Sequence, residues 1–139
     1  MPLVRGEAPP AAVSNAIKQL KVPSPVLAGL YLYCDCWEEA HAAADVGQSR
    51  ESYYWHSIVH RQEPDFGNSA YWLRQAGALA IFPKLREEAT ALGYPASPAW
   101  DPYGFFQFCE SGSSPVLAIK IQLVEWQLLF DHCVRERIA

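Results

Sequence analysis

No run of about 18 or more apolar residues occurs in this 139-residue chain, so no segment reads as a membrane span. Basic charge is sparse. The 11 Lys and Arg are scattered among 15 Asp and Glu, giving a net charge of −4. Phosphate recognition needs a cationic face, so neither nucleic acid nor an anionic membrane is an expected partner. The four cysteines, Cys34, Cys36, Cys109 and Cys133, form no C-x-x-C pair and read as thiols in a reducing compartment. Met1 to Ala12 lacks the apolar stretch of a signal peptide, and a cytoplasmic protein is expected. The G-x-S-x-G elbow, the phosphate-binding Walker loop and the G-x-G-x-x-G fingerprint are all missing. Covalent acyl transfer and nucleotide chemistry therefore have no support.

What remains is half apolar and 13% aromatic, enough for one domain to bury a core without staples. No stretch sustains period-two alternation, and helix punctuation is legible. Ser24-Pro25, Asp101-Pro102 and Ser114-Pro115 each join a capping side chain to a proline at the first helical position. The expected architecture is all-α: a disordered tail over 1–12, then a single domain over 13–139. About six helices, arranged as hairpins, should pack around a long C-terminal one. The first should run from Pro25 to about Val46 and stop at Gly47. A second follows the Ser49 cap and ends before Pro64, and a third starts at Asp65 and ends at Gly77. A fourth covers Leu79–Leu92, starting late because of Pro83. A short helix through Glu110 and a long one from Pro115 to about Arg137 complete the chain. The last carries apolar rows Ile119, Leu123, Trp126, Phe130 and Leu117, Ile121, Val124, Leu128, with Gln122, Glu125 and His132 as a polar strip between them.

Residues 26–77 align with themselves at an offset of 29, placing Ala28 over Ser57, Tyr31 over His60 and Trp37 over Phe66. This resembles the tetratricopeptide and related helical-hairpin repeats, although the spacing is shorter and the usual downstream proline is missing. Two unrelated amphipathic hairpins would give the same pattern. A repeat would place Ser57 and Ser69 at close contacts between paired helices.

Trp55 to Arg74 concentrates imidazole, carboxylate, amide, guanidinium and indole groups that a plain structural segment could avoid. His56, His60 and Glu63 lie four and three apart, on one helical face within about 60°. Two histidines at that spacing ligate a divalent metal, and a carboxylate can complete the set. The base-bearing H-E-x-x-H arrangement is absent. Glu38 and His41 make one E-x-x-H pair, where di-iron bundles need two, so a surface pair is the expectation there. Asp65 suits an N-cap with Arg61 as its ion-pair neighbour, and Arg74 could pair with Glu63 across the turn. Alternatively, Arg61, Asn68 and Arg74 would fix a polar or anionic group against flat walls from Trp55, Tyr71 and Trp72.

The pattern W-H-x-I-x-H-R-x-E-x-D-x-x-N-x-x-Y-W-x-R-x-x-G over 55–77, with W-D-P at Trp100 and E-W-x-x-L-x-x-H-C from Glu125, resembles a bacterial protein family without an assigned activity. The likeness spans most of the chain beyond residue 27. It departs at Phe82-Pro83, where the family pattern has His-Pro. The resemblance implies a fold grouping and no chemistry. Two functions are therefore expected. The first is a binding module for a peptide, protein or small polar ligand, using Trp55, His56, His60, Arg61, Glu63, Asn68, Tyr71, Trp72 and Arg74. The second is a metal-dependent enzyme, with His56, His60 and Glu63 holding a divalent ion.

Overall fold

Caps, prolines and glycines cut the chain into eight helices and no strand in the computed structural model, which describes residues 1–139. They are α1 (Ala11–Lys18), α2 (Ser24–Tyr33), α3 (Trp37–Val46), α4 (Arg50–Gln62), α5 (Phe66–Ala76), α6 (Phe82–Ala91), α7 (Pro102–Ser111) and α8 (Pro115–Arg135). The side chains of Ser49, Asp65 and Asp101 each accept a backbone N–H from the first turn of the helix they precede. Ser24 and Ser114 make no such bond, and α2 and α8 rely on their prolines instead. Gly112, at φ 64°, takes the left-handed conformation that ends α7. All eight helices form one domain, and none is long and apolar enough to cross a membrane.

The expected single helix from Pro25 to Val46 is in fact two. Asp35 adopts a left-handed φ of 60°, and the chain reverses at Cys34–Cys36. Asp tolerates that conformation better than most residues, so the break carries no glycine or proline to announce it. Trp37 then opens α3 and donates its indole N–H to the Val59 carbonyl at 3.0 Å, tying the new helix to α4. The hairpins α2–α3 and α4–α5 share one frame. Tyr33 and Gln62 close their first helices and Trp37 and Phe66 open their second, at the 29-residue offset of the sequence alignment. Ser69 Oγ donates to the Ser57 carbonyl at 2.9 Å, and both serines are buried where α4 meets α5.

The helix enclosed on most sides is α4 rather than α8, with Tyr54 to Gln62 all buried. Helix α8 buries one stripe, Ala118, Ile121, Gln122, Glu125, Leu129 and Cys133, and leaves Ile119 and Leu123 exposed. Within the strip read as polar between apolar rows, the Gln122 and Glu125 part therefore faces inward. Its partner is Arg61 of α4, whose two terminal nitrogens donate to the two Glu125 carboxylate oxygens at 3.1 and 2.6 Å. Tyr54 also donates to Glu125, at 2.5 Å, and Gln122 accepts from Arg61 at 3.1 Å. The inward turn of this strip rests on a partner from another helix, which an amphipathicity count cannot foresee. Two further helices exceed the expected six: α1, and the second half of the split first helix.

The first residues, expected as a disordered tail, are placed against this network. Gln62 and Gln122 donate to the Pro2 carbonyl at 3.0 and 3.1 Å, and the Arg5 N–H donates to the Gln62 carbonyl at 2.8 Å. The Arg5 guanidinium lies 4.0 Å over the Trp37 ring.

Candidate metal centre

Three imidazoles meet where α3 crosses α4. His56 and His60 project from one face of α4, one turn apart, and His41 reaches them from α3. One ligating nitrogen from each lies within 4.8 Å of the other two. Ring centroids are 4.8 Å apart for His41 and His56, 5.3 Å for His41 and His60, and 5.0 Å for His56 and His60. With metal–nitrogen bonds near 2.05 Å, rings around one ion at 90–110° have centroids about 4.5–5.3 Å apart. The spacing fits convergence on a common point. Closing the nitrogens to the ~3.3 Å of a tetrahedral site takes side-chain shifts on the order of 1 Å.

Packing fixes the rings. Trp72 of α5 lies parallel to His56, 12° between planes and 4.0 Å between centroids, and Trp37 stacks on His41 at 5.4 Å and 4°. Glu63, at the C-terminal cap of α4, sits 3.0 Å from His60 Nδ1. That contact fixes the His60 tautomer and leaves its Nε2 free, the usual support behind a metal-ligating histidine. His56 Nδ1 is buried with no hydrogen-bond partner, an orphan among the rings of His41, His60 and Trp72. Burial, followed by the neighbouring His41 and His60, pushes the His56 pKa down to about 4 against a smaller opposing pull from Asp45. Its ring is neutral at pH 7. His41 is partly exposed and opens the cluster to solvent on the α3 side.

The corner from Trp55 to Arg74 does not form one surface. Trp55 is fully buried on the side of α4 facing Gly29 of α2, and Arg61 is locked to Glu125 rather than to Asp65. Asn68 serves the Asp65 cap, its N–H bonded to Oδ1 at 3.1 Å and its amide to Oδ2 at 2.7 Å. Those bonds hold the Asp65 carboxyl below its usual range. Tyr71 is exposed, edge-on to Trp72 at 5.0 Å. Arg74 is exposed and makes no ion pair with Glu63 or any other carboxylate. Of the expected metal set, His56 and His60 come together, while Glu63 backs His60 and His41 takes its place beside them. The E-x-x-H pair does not act as a unit, because Glu38 turns away to Arg5 at 3.2 Å. Had the reversal at Asp35 been legible, His41 would have been placed on a helix antiparallel to α2 and beside α4.

No protein-family model, curated protein or solved structure matches the chain.

Proposed function

We propose that this protein is a metal-dependent enzyme whose divalent ion, zinc by ligand chemistry, is held by His41, His56 and His60 with Glu63 orienting His60. The observation that carries this is three imidazoles with one nitrogen each within 4.8 Å of the others, one ring having a buried nitrogen that lacks any partner. Three neutral nitrogen donors satisfy zinc's preference and leave one position open. They also leave the full double charge of the ion to act on a water or a carbonyl there, the chemistry of hydrolytic and hydrating sites. The partly exposed His41 marks the side from which a substrate approaches. A carboxylate in place of His41 would have neutralised part of that charge and weakened the effect.

Elemental analysis of protein purified without chelator should find about one zinc per chain. Metal-stripped protein should take up cobalt with the visible absorption of a tetrahedral nitrogen site. Because His41 is partly exposed, His41→Ala should remove most of the metal while leaving the helical spectrum of the stripped protein unchanged. Hydrolysis of a small activated ester should follow the zinc and vanish in His41→Ala. If the purified protein holds no ion, and the stripped protein takes up neither zinc nor cobalt, the metal centre does not exist.

A further inference from the structure

A second site opens where α5 ends and α7 begins. Leu73, Arg74, the Gly77–Leu79 turn, Phe82, Arg86, Pro98–Trp100, Pro102 and Tyr103 line a hollow of about 780 Å³. That is the size of a pocket for a small organic molecule. Leu79 and Trp100 are buried and Phe82 half-buried, so the floor is apolar. The only charged side chains in the lining are Arg74 and Arg86.

Neither guanidinium has a carboxylate within 4.0 Å, and no acidic residue lines the hollow. Arg74 makes no hydrogen bond. Arg86 donates Nε to the Ser97 carbonyl at 2.6 Å, which anchors the side chain and leaves its two terminal nitrogens free. A third cation stands at the edge, since Arg50 donates to the Ala78 carbonyl at 3.5 Å and likewise has no acidic partner. In a chain of net charge −4, cations gathered over an apolar hollow without a counter-ion leave a positive field to be filled from outside. The guanidinium fork matches a carboxylate in two parallel hydrogen bonds.

We infer that this hollow binds an amphipathic monocarboxylate, its apolar body on Leu79, Phe82 and Trp100 and its carboxylate between Arg74 and Arg86. The ligand chemistry is independent of the metal centre and involves none of its residues.

Calorimetric titration with octanoate, set against octanol as the uncharged probe of equal chain length, tests this. Both should be run in the His41→Ala background, so that a carboxylate bound to metal is not mistaken for one bound here. Octanoate should bind at one site per chain and raise the melting temperature, and octanol should bind at least tenfold more weakly. Arg74→Met should weaken octanoate at least tenfold and leave octanol unchanged. Since Arg74 holds nothing in place, the unliganded melting temperature should not move. Ala99→Trp, which fills the hollow from an exposed wall position, should abolish both. Absence of octanoate binding, equal affinity for octanoate and octanol, or full octanoate affinity in Arg74→Met would each overturn the inference.

Discussion

Replacing Glu125 by glutamine tests whether Arg61 is a structural cation or one available to a ligand. The substitution keeps the shape of the side chain and removes only its charge. Glu125 is fully buried and Arg61 nearly so, and the Phe105 ring lies 4.8 Å from the guanidinium. Burial pulls the Arg61 pKa down, but Glu125 more than reverses this and keeps the guanidinium firmly protonated. Without the carboxylate, a cation would remain in an apolar enclosure with Gln122 and the new amide as its only polar partners. Stranding one member of a buried pair costs about 3–5 kcal/mol. Against a total stability of about 5–15 kcal/mol, that is a large fraction. At about 3–5 °C per kcal/mol for a domain of this length, the melting temperature should fall by roughly 10–20 °C. Urea unfolding followed by circular dichroism gives the free energies directly. The double variant Arg61→Met with Glu125→Leu should recover to within about 1–2 kcal/mol of the parent, because it buries no charge at all. A loss below about 1 kcal/mol in Glu125→Gln would mean that water reaches the guanidinium. Arg61 would then be open to ligands, contrary to the closed network described above.

Three further outcomes are expected. Gly29→Ala brings a Cβ to 2.9 Å from the Trp55 ring and 3.0 Å from Phe130, so overpacking of about 1–3 kcal/mol should outweigh the roughly 1 kcal/mol of helix propensity gained. A more stable Gly29→Ala protein on thermal melting would show that α2 can move away from α4. Ser69→Leu should cost on the order of 1–3 kcal/mol by crowding the α4–α5 joint, as should Ser57→Leu, and unchanged melts in both would contradict the joint. In metal-stripped protein, unfolded His56 takes up a proton near 6.5 and folded His56 only near 4, so its contribution is present above pH 6.5 and lost as pH falls towards 4. His41 and Asp45 from α3 and His60 from α4 face the ring. The shift is worth about 3 kcal/mol at most, lowered to about 1–2 kcal/mol by solvent entering past His41. Stability measured by urea between pH 7 and 4 should fall less steeply in His56→Ala, and parallel profiles would remove His56 as the cause.

The residues alone determined that this is an all-helical domain, and where most of its helices begin and end. Caps and breakers act within a turn of their own position, so Ser49, Asp65, Asp101 and Gly77 can be read without knowing what they pack against. The offset of 29 set Trp37 over Phe66, the residues that open α3 and α5, but only the second of the two reversals carried a breaker that could be read. The spacing of His56 and His60 likewise guaranteed a shared face once α4 was helical. Other features depended on contacts far apart in the chain. Asp35 bends the backbone through a conformation that its side chain merely tolerates, and nothing local required the break that delivers His41 to the pair. Gln122 and Glu125 read only as a polar strip between apolar rows until Arg61 is placed opposite them, because whether a polar residue is buried depends on its partner. Arg61 and Arg74, thirteen positions apart, have opposite fates on the same grounds. One meets a carboxylate across the core and is closed, while the other meets none and overlooks an apolar hollow. Local chemistry thus set the elements, and only the tertiary fold decided which charges are neutralised within the protein and which are left for something else to meet.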